Sequence, residues 1–324
     1  MESIAYPPLI CPFPSAINPY ATDAQQATIT WARQLRLLQR DTAYRRLDRL
    51  QYGMLMARAY PSAAPETLQI VTDWSTWLFL LDDQCDEAGM GRDPEQLARL
   101  HTKFLAVLQG IPPGQTAEPL VHGLWDLHTR ILAHAPEGWH GRFRRSVRQY
   151  FTANVWEATN RRRGQIPDAK SYCAMRLFTS AVYPCLLLIE LTEDLRLPSE
   201  VCEHPDVQRL TDMTNNVISW ANDIVSLEKE RRQGDVHNLA LILSHERKLS
   251  LQAAVDQVGA LHDAEVHSFI ALARRMPSFT PSVDADLQRY VSGMRFWMRA
   301  NWDWSLGTLR YQSMPAISAE PVLA

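Results

Sequence analysis

Residues 67–89 read TLQIVTDWSTWLFLLDDQCDEAG. As one long helix with its C-terminal stop, the stretch carries aliphatic and aromatic side chains nearly all round its axis. That pattern belongs to a helix inside a bundle rather than on its surface. The run Trp74-Ser75-Thr76-Trp77-Leu78-Phe79-Leu80-Leu81 leads directly into Asp82, Asp83, Asp86 and Glu87. Acids that follow an apolar helix without a break look like the rim of a greasy pocket.

Outward from this helix the chain continues to read as helices. Helical apolar spacing covers Asp23 to about Leu38, then 42–59, ending before Pro61. Further helices are expected at 94–108, 117–134, 138–162, 168–192, 206–232, 237–245, 249–276 and 282–299, with a short one around 302–310. Strand alternation with hairpin turns is missing, and 13 glycines are few for a protein built on turns. No linker or repeat divides the chain. The expected architecture is all-α: one helical bundle over 1–324, with an extended proline-rich arm at 1–20 and a loose tail at 312–324.

At 324 residues the chain can enclose a cavity as well as a core. A net charge of −3 gives no electrostatic footprint for nucleic acid. No run of about 18 consecutive apolar residues predicts a membrane span. The N-terminus lacks the basic and apolar regions of a secretory signal. Five cysteines, at 11, 85, 173, 185 and 202, form no CxxC pair or zinc spacing. They fit reduced thiols in a cytosolic protein. The oligomeric expectation is a monomer or a homodimer.

Two oxygen-rich segments carry the chemistry. Asp82 and Asp86 are four residues apart and share a helix face, with Asp83 about 100° away. Acids at a helix C-terminus are repelled by the dipole and by one another. A cation there would relieve that repulsion, and all-oxygen ligands point to Mg²⁺ rather than zinc. By itself the cluster also fits a solvated acidic helix end. The second segment is Asn222-Asp223-Ile224-Val225-Ser226-Leu227-Glu228-Lys229-Glu230. Asn222, Ser226 and Glu230 drift only about 40° per step, so three oxygen donors line one face. Lys229 lies beside that face. An ordinary surface helix, with Glu228 and Arg232 paired at i,i+4, is the plain alternative. Two such half-sites in one bundle could close on a diphosphate from opposite sides.

At these residues the chain resembles bacterial class I terpene synthases. DDQCD matches that family's DDxxD motif, and NDIVSLEKE matches its (N/D)DxxSxxxE motif. Arg176 lies 46 residues before Asn222, where the family has a diphosphate-sensing arginine, and Arg310-Tyr311 matches its closing Arg–Tyr pair. The opening PFPSAINPY is also similar. The likeness runs from about residue 10 to residue 311. It implies the class I terpenoid synthase fold and three Mg²⁺ ions, held by Asp82 and Asp86 and by Asn222, Ser226 and Glu230. Asp83 would pair with the closing arginine. Arg176, Lys229, Arg310 and Tyr311 would contact the diphosphate. Thr179 would stand at the linker position, and Ser180 at the effector position, whose carbonyl faces the departing allylic carbon. Many relatives have Asp or Glu, then Gly, at those two places.

The implied reaction is ionisation and cyclisation of a linear isoprenyl diphosphate, with farnesyl diphosphate the expected substrate and a geranylgeranyl substrate the alternative. Metal ions and Arg or Lys donors would neutralise the leaving group. Aromatic faces would stabilise the carbocation in a dry pocket. Candidates are Trp74, Trp77, Phe79, Tyr150, Phe151, Phe178, Trp297 and Trp304, with Trp304 favoured by its nearness to Arg310. A chain-elongating prenyl synthase would carry two DDxxD motifs, and a protonation-initiated cyclase a DxDD sequence. Neither is present. A helical scaffold without catalysis is the non-enzyme alternative.

Overall fold

The computed structural model describes residues 4–87, 89–136 and 138–311, apart from the side chains of residues 85–87. No strand occurs among them. The helices are α1 Ala21–Gln34, α2 Asp41–Leu50, α3 Tyr52–Ala59, α4 Pro65–Glu87, α5 Pro94–Leu108, α6 Pro119–His134 and α7 Trp139–Arg163. They continue as α8 Ala169–Thr179, α9 Val182–Thr192, α10 Ser199–Cys202, α11 Pro205–Gln233, α12 Leu239–Arg247, α13 Leu251–Ala273 and α14 Pro281–Gly307.

The long apolar helix is α4, and it lies inside. Leu68, Val71, Trp74, Trp77 and Leu81 are each at most 1 % exposed. Burying side chains of this size stabilises the fold by roughly 1.5–3 kcal/mol apiece. α4 packs against α1, α3, α6 and α9, and so joins both halves of the chain. A second apolar cluster, around Tyr172, Trp220, Leu243 and Val258, ties α8 to α11, α12 and α13.

Several boundaries follow from local chemistry. Asp93 caps α5 by accepting from Gln96 N, with Pro94 in the first turn. Thr280 and Pro281 open α14 in the same way. Gly234 ends α11 in the left-handed region (φ 70°), which glycine adopts without a Cβ clash. The arm from residue 4 crosses α13, where Gln252 both accepts from Ala5 N and donates to Ala5 O, at 2.9 Å each.

Three expected helices differ in the structure. The stretch 42–59 is two helices, broken at Gln51, which takes a left-handed conformation (φ 58°). The break leaves the Leu50 carbonyl to accept from Trp304 Nε1 at 3.0 Å and from Thr308 Oγ1 at 3.3 Å. The stretch 168–192 is α8 and α9, parted at Ser180 and Ala181, the latter at φ 56°. The short helix expected near 302–310 is the end of α14, which runs on to Gly307. By length and composition alone, 169–192 could cross a membrane, with a mean hydropathy of 1.5. It is broken at its middle, and α9 packs against α4, α7, α11 and α14. The tail at 312–324 lies outside the described residues.

Candidate active site

α4, α11 and α14 bring their C-terminal ends together. Arg310, three residues past α14, donates from Nη2 to Asp82 Oδ2 at 2.7 Å and from Nη1 to Asp83 Oδ1 at 2.9 Å. Tyr311 Oη accepts from Asn222 Nδ2 at 2.7 Å. The acidic end of α4 and the Asn/Ser/Glu face of α11 therefore meet through the Arg–Tyr pair. Behind the junction is a cavity of about 180 Å³. Its walls come from α3, α4, α5, α7, the α8–α9 break, α11 and α14.

The three converging helices line the cavity with different side chains. α4 lines the cavity with Ser75, Leu78, Phe79 and Asp82. α11 does so with Ile218, Ser219, Asn222, Ser226 and Glu230, and α14 with Trp297, Asn301 and Trp304. On α4 and α11 the lining becomes acidic or oxygen-rich toward the C-terminal end, whereas α14 presents two tryptophans. Tyr52 and Phe79 stack with centroids 4.2 Å apart, and Trp304 lies 5.6 Å from Phe79. The Arg310 guanidinium sits 4.7 Å above the Phe79 ring, and Nη1 also donates to Tyr52 Oη at 3.0 Å.

Arg176 reaches α11 from α8. Its Nη2 donates to Asn222 Oδ1 at 2.9 Å, and its Nε to Asp223 Oδ1 at 3.1 Å. Asp223 is fully buried and also accepts from Tyr172 Oη at 2.7 Å and Leu239 N at 3.0 Å. Asn238, which caps α12, donates to Glu230 Oε2 at 2.7 Å. The turn at Gly234 makes that contact possible, because it folds the chain back over the last turn of α11.

The electrostatics favour a cation. Three helix C-termini, each the negative end of a macrodipole, converge on carboxylates. Burial, with Asp223 and Asp235 close by, pushes the Glu230 carboxyl up to about 8. Burial also raises Asp223, against the pull of Arg176. Asp83 is held below the usual carboxylate range despite its burial, because Arg310 and Lys229 face it. Among the described residues no three His, Cys, Asp or Glu side chains converge as a ready metal cluster. The converging donors are mixed amide, hydroxyl and carboxylate oxygens, the set that suits a hard divalent ion sharing its shell with a ligand.

The sequence-based candidates divide clearly. Asp82, Arg176, Thr179, Ser180, Asn222, Ser226, Lys229, Glu230, Arg310 and Tyr311 all line the cavity, as do Phe79, Tyr150, Trp297 and Trp304. Asp83 is held against Arg310. The side chain of Asp86 lies outside the described residues. Trp77 is a correction: it has no exposed surface, does not line the cavity, and donates its indole N–H to Leu120 O at 2.8 Å. It stands five residues before Asp82, about 140° round the helix, and faces Phe104 and Phe151 instead. Trp74, Phe151 and Phe178 are likewise not among the cavity's lining residues. Thr179 Oγ1 is buried without a hydrogen-bond partner and makes no bond to Arg176. The sequence reading missed Tyr52, Asn215 and Asn238, and gave Asp223 no role although it sits inside the second motif.

Residues 73–268 match the family model for terpene synthase family 2, C-terminal metal binding. Over 303 residues, 94% of this chain and 93% of the relative, it is 46% identical to a (+)-T-muurolol synthase of Roseiflexus castenholzii. The chain belongs to the terpene synthases. Germacrene A synthase of Nostoc punctiforme is 35% identical to the synthase over 97% of both chains. The solved germacradien-4-ol synthase from Streptomyces citricolor superposes with a TM-score of 0.82 at 26% identity, covering 92% of the synthase and 97% of that structure. The all-helical fold is thus that of the class I terpene synthases, and the family's metal-binding region spans both oxygen-rich segments.

Proposed function

We propose that the synthase ionises farnesyl diphosphate and cyclises it to a sesquiterpene with release of diphosphate. The observation that carries this reading is the Arg310–Asp82 and Tyr311–Asn222 closure over a cavity whose wall includes the apolar and aromatic side chains Leu78, Phe79, Tyr150, Ile218, Trp297 and Trp304. The substrate length draws support from the Roseiflexus relative, whose name includes "(2E,6E)-farnesyl diphosphate cyclizing". A geranylgeranyl substrate is not favoured.

In this reading the ions are Mg²⁺, three per site, held by Asp82, Asp86, Asn222, Ser226 and Glu230. When bound, magnesium supplies charge neutralisation of the departing diphosphate. Arg176, Lys229, Arg310 and Tyr311 grip the diphosphate oxygens, where charge develops as the C–O bond breaks. Arg176 then exchanges its bonds to Asn222 and Asp223 for phosphate oxygens. Pro184, four residues after Ser180, has no N–H for the Ser180 carbonyl. That leaves the carbonyl dipole available to the allylic cation. Phe79, Tyr150, Trp297 and Trp304 present ring faces to the positive charge, and closure excludes the water that would quench it. No buried general base is needed, since the bound diphosphate takes the final proton. The catalytic unit spans residues 1–324, works in the cytosol, and is a monomer or homodimer.

The test is incubation with geranyl, farnesyl and geranylgeranyl diphosphates, with Mg²⁺ or with EDTA, read by gas chromatography–mass spectrometry. A cyclic C15 product lost in EDTA is expected. Turnover of the C20 chain alone, or product formed in EDTA, would overturn the reading.

A further inference from the structure

The α8–α9 break takes the carbonyls around it, Leu177 and Ser180 among them, from their helical partners. In an unbroken helix Leu177 O would accept from Ala181 N, but that amide turns to Phe178 O at 3.4 Å. Ser180 O would accept from residue 184, which is a proline. Among the described residues no backbone N–H donates to the Ser180 carbonyl. A helix end broken in this way needs outside partners.

One side chain on α11 supplies a partner for the Leu177 carbonyl and anchors the Ser180 hydroxyl. Asn215 is fully buried, at 0 % exposure. Its Nδ2 donates to Leu177 O at 2.7 Å. Its Oδ1 accepts from Ser180 Oγ at 2.8 Å and from Ser219 Oγ at 3.0 Å. Ser180 Oγ in turn accepts from Val182 N at 3.2 Å. A single amide therefore holds the end of α8 and the first residue of the break, and the Ser180 hydroxyl relays it to the start of α9. Asn215 stands two turns before Asn222 on the same helix, and Asn222 and Asp223 hold Arg176. Thr179, at the position where the family places a linker, has a hydroxyl with no partner.

We propose that Asn215 is a positioning residue that does here what a residue-179 linker would do. It carries a displacement of α11, on filling of the Asn222/Ser226/Glu230 face, across to the Ser180–Ala181 peptide and aims the Ser180 carbonyl. The physical reason is rigidity. Both acceptor positions of Asn215 Oδ1 and one Nδ2 hydrogen are engaged, so α11 cannot slide past the break without moving Leu177 and Ser180 or breaking these bonds. This proposal rests on the active-site reading above.

The test uses the full-length enzyme and two readouts. The first is steady-state diphosphate release from farnesyl diphosphate. Asn215→Ala lowers kcat by about 10²-fold, the order expected when a reacting geometry is misplaced by about 1 Å, and leaves KM little changed. Asn215→Asp keeps the shape and the acceptor but loses the donation to Leu177 O, and falls in the same direction. Ser180→Ala removes one of the three bonds and has a smaller effect. If Asn215→Ala does not fold, the other two variants decide. The second readout is amide hydrogen exchange with and without Mg²⁺ and inorganic pyrophosphate. In the wild type these slow exchange along α11 and across residues 177–183; in the variants the slowing stays on α11. A wild-type kcat in Asn215→Asp and Ser180→Ala, or equal slowing at the break in variant and wild type, overturns the coupling. A wild type that ignores both magnesium and pyrophosphate overturns the active-site reading, and the coupling with it.

Discussion

Arg310 Nη2 lies 2.7 Å from Asp82 Oδ2, a contact between residues 228 positions apart in the chain. The guanidinium is 4 % exposed, while the carboxylate remains half-open to the cavity. A planar fork of this kind serves two carboxylates and a ring face together, which an ammonium cannot do. Arg310→Lys is therefore expected to lower kcat/KM by about 10²- to 10³-fold. Diphosphate release measures this, and a loss of only severalfold would mean that a point charge suffices.

Trp304 contributes a ring to the cavity and an N–H to Leu50. The two roles separate in two variants. Trp304→Phe loses the hydrogen bond and leaves the Leu50 carbonyl with Thr308 alone, a loss of about 1 kcal/mol. Trp304→Ala opens a cavity, costs about 3–5 kcal/mol and changes the product mixture. Thermal unfolding and product chromatography check both. An unaltered product profile in the alanine variant would remove Trp304 from contact with the substrate.

His101 is buried against Phe151, with ring centroids 4.5 Å apart. Burial pushes its pKa down from 6.5 to about 4. The unfolded chain thus binds a proton in the pH 4–6.5 window that the folded chain refuses, and stability falls as pH falls through it. The full difference is roughly 3 kcal/mol. Denaturant midpoints at pH 7 and pH 5 should differ less in His101→Phe than in the wild type. Equal pH dependence would locate the titration elsewhere.

Gly53 lets α3 approach α1 at close range. A Cβ there would lie 2.7 Å from Gln25 Cα, with the Gln25 backbone N at 2.8 Å. Backbone cannot rotate aside as a side chain can. Gly53→Ala is expected to cost about 1–3 kcal/mol. It should also lower activity, because the neighbouring Tyr52 hydroxyl accepts from Arg310. An unchanged melting temperature would show that the two helices can separate freely.

Asn222 joins Arg176 to Tyr311, so its replacement should remove turnover while the helices persist. Asn222→Leu with an intact helical circular dichroism spectrum and no measurable product is the expected result. Wild-type activity in that variant would sink the second metal-binding segment.

The sequence by itself determined the all-helical architecture and the two oxygen-rich segments, because those depend on short-range spacing. An i,i+4,i+8 donor set lies on one face wherever its helix is packed. An apolar helix such as α4 must be buried wherever it ends up. Tertiary structure alone decided which face of α4 meets the cavity, and so separated Phe79 from Trp77, two residues that read alike in the sequence. It alone turned Gln51 out of the helix, since the freed Leu50 carbonyl has its partners at Trp304 and Thr308, some 250 residues away. The same holds for Asn215: nothing in its neighbours marks it, because the groups it satisfies are exposed only by a break in another helix. Hydrogen bonds between elements distant in sequence leave no periodicity behind, and only the folded chain reveals them.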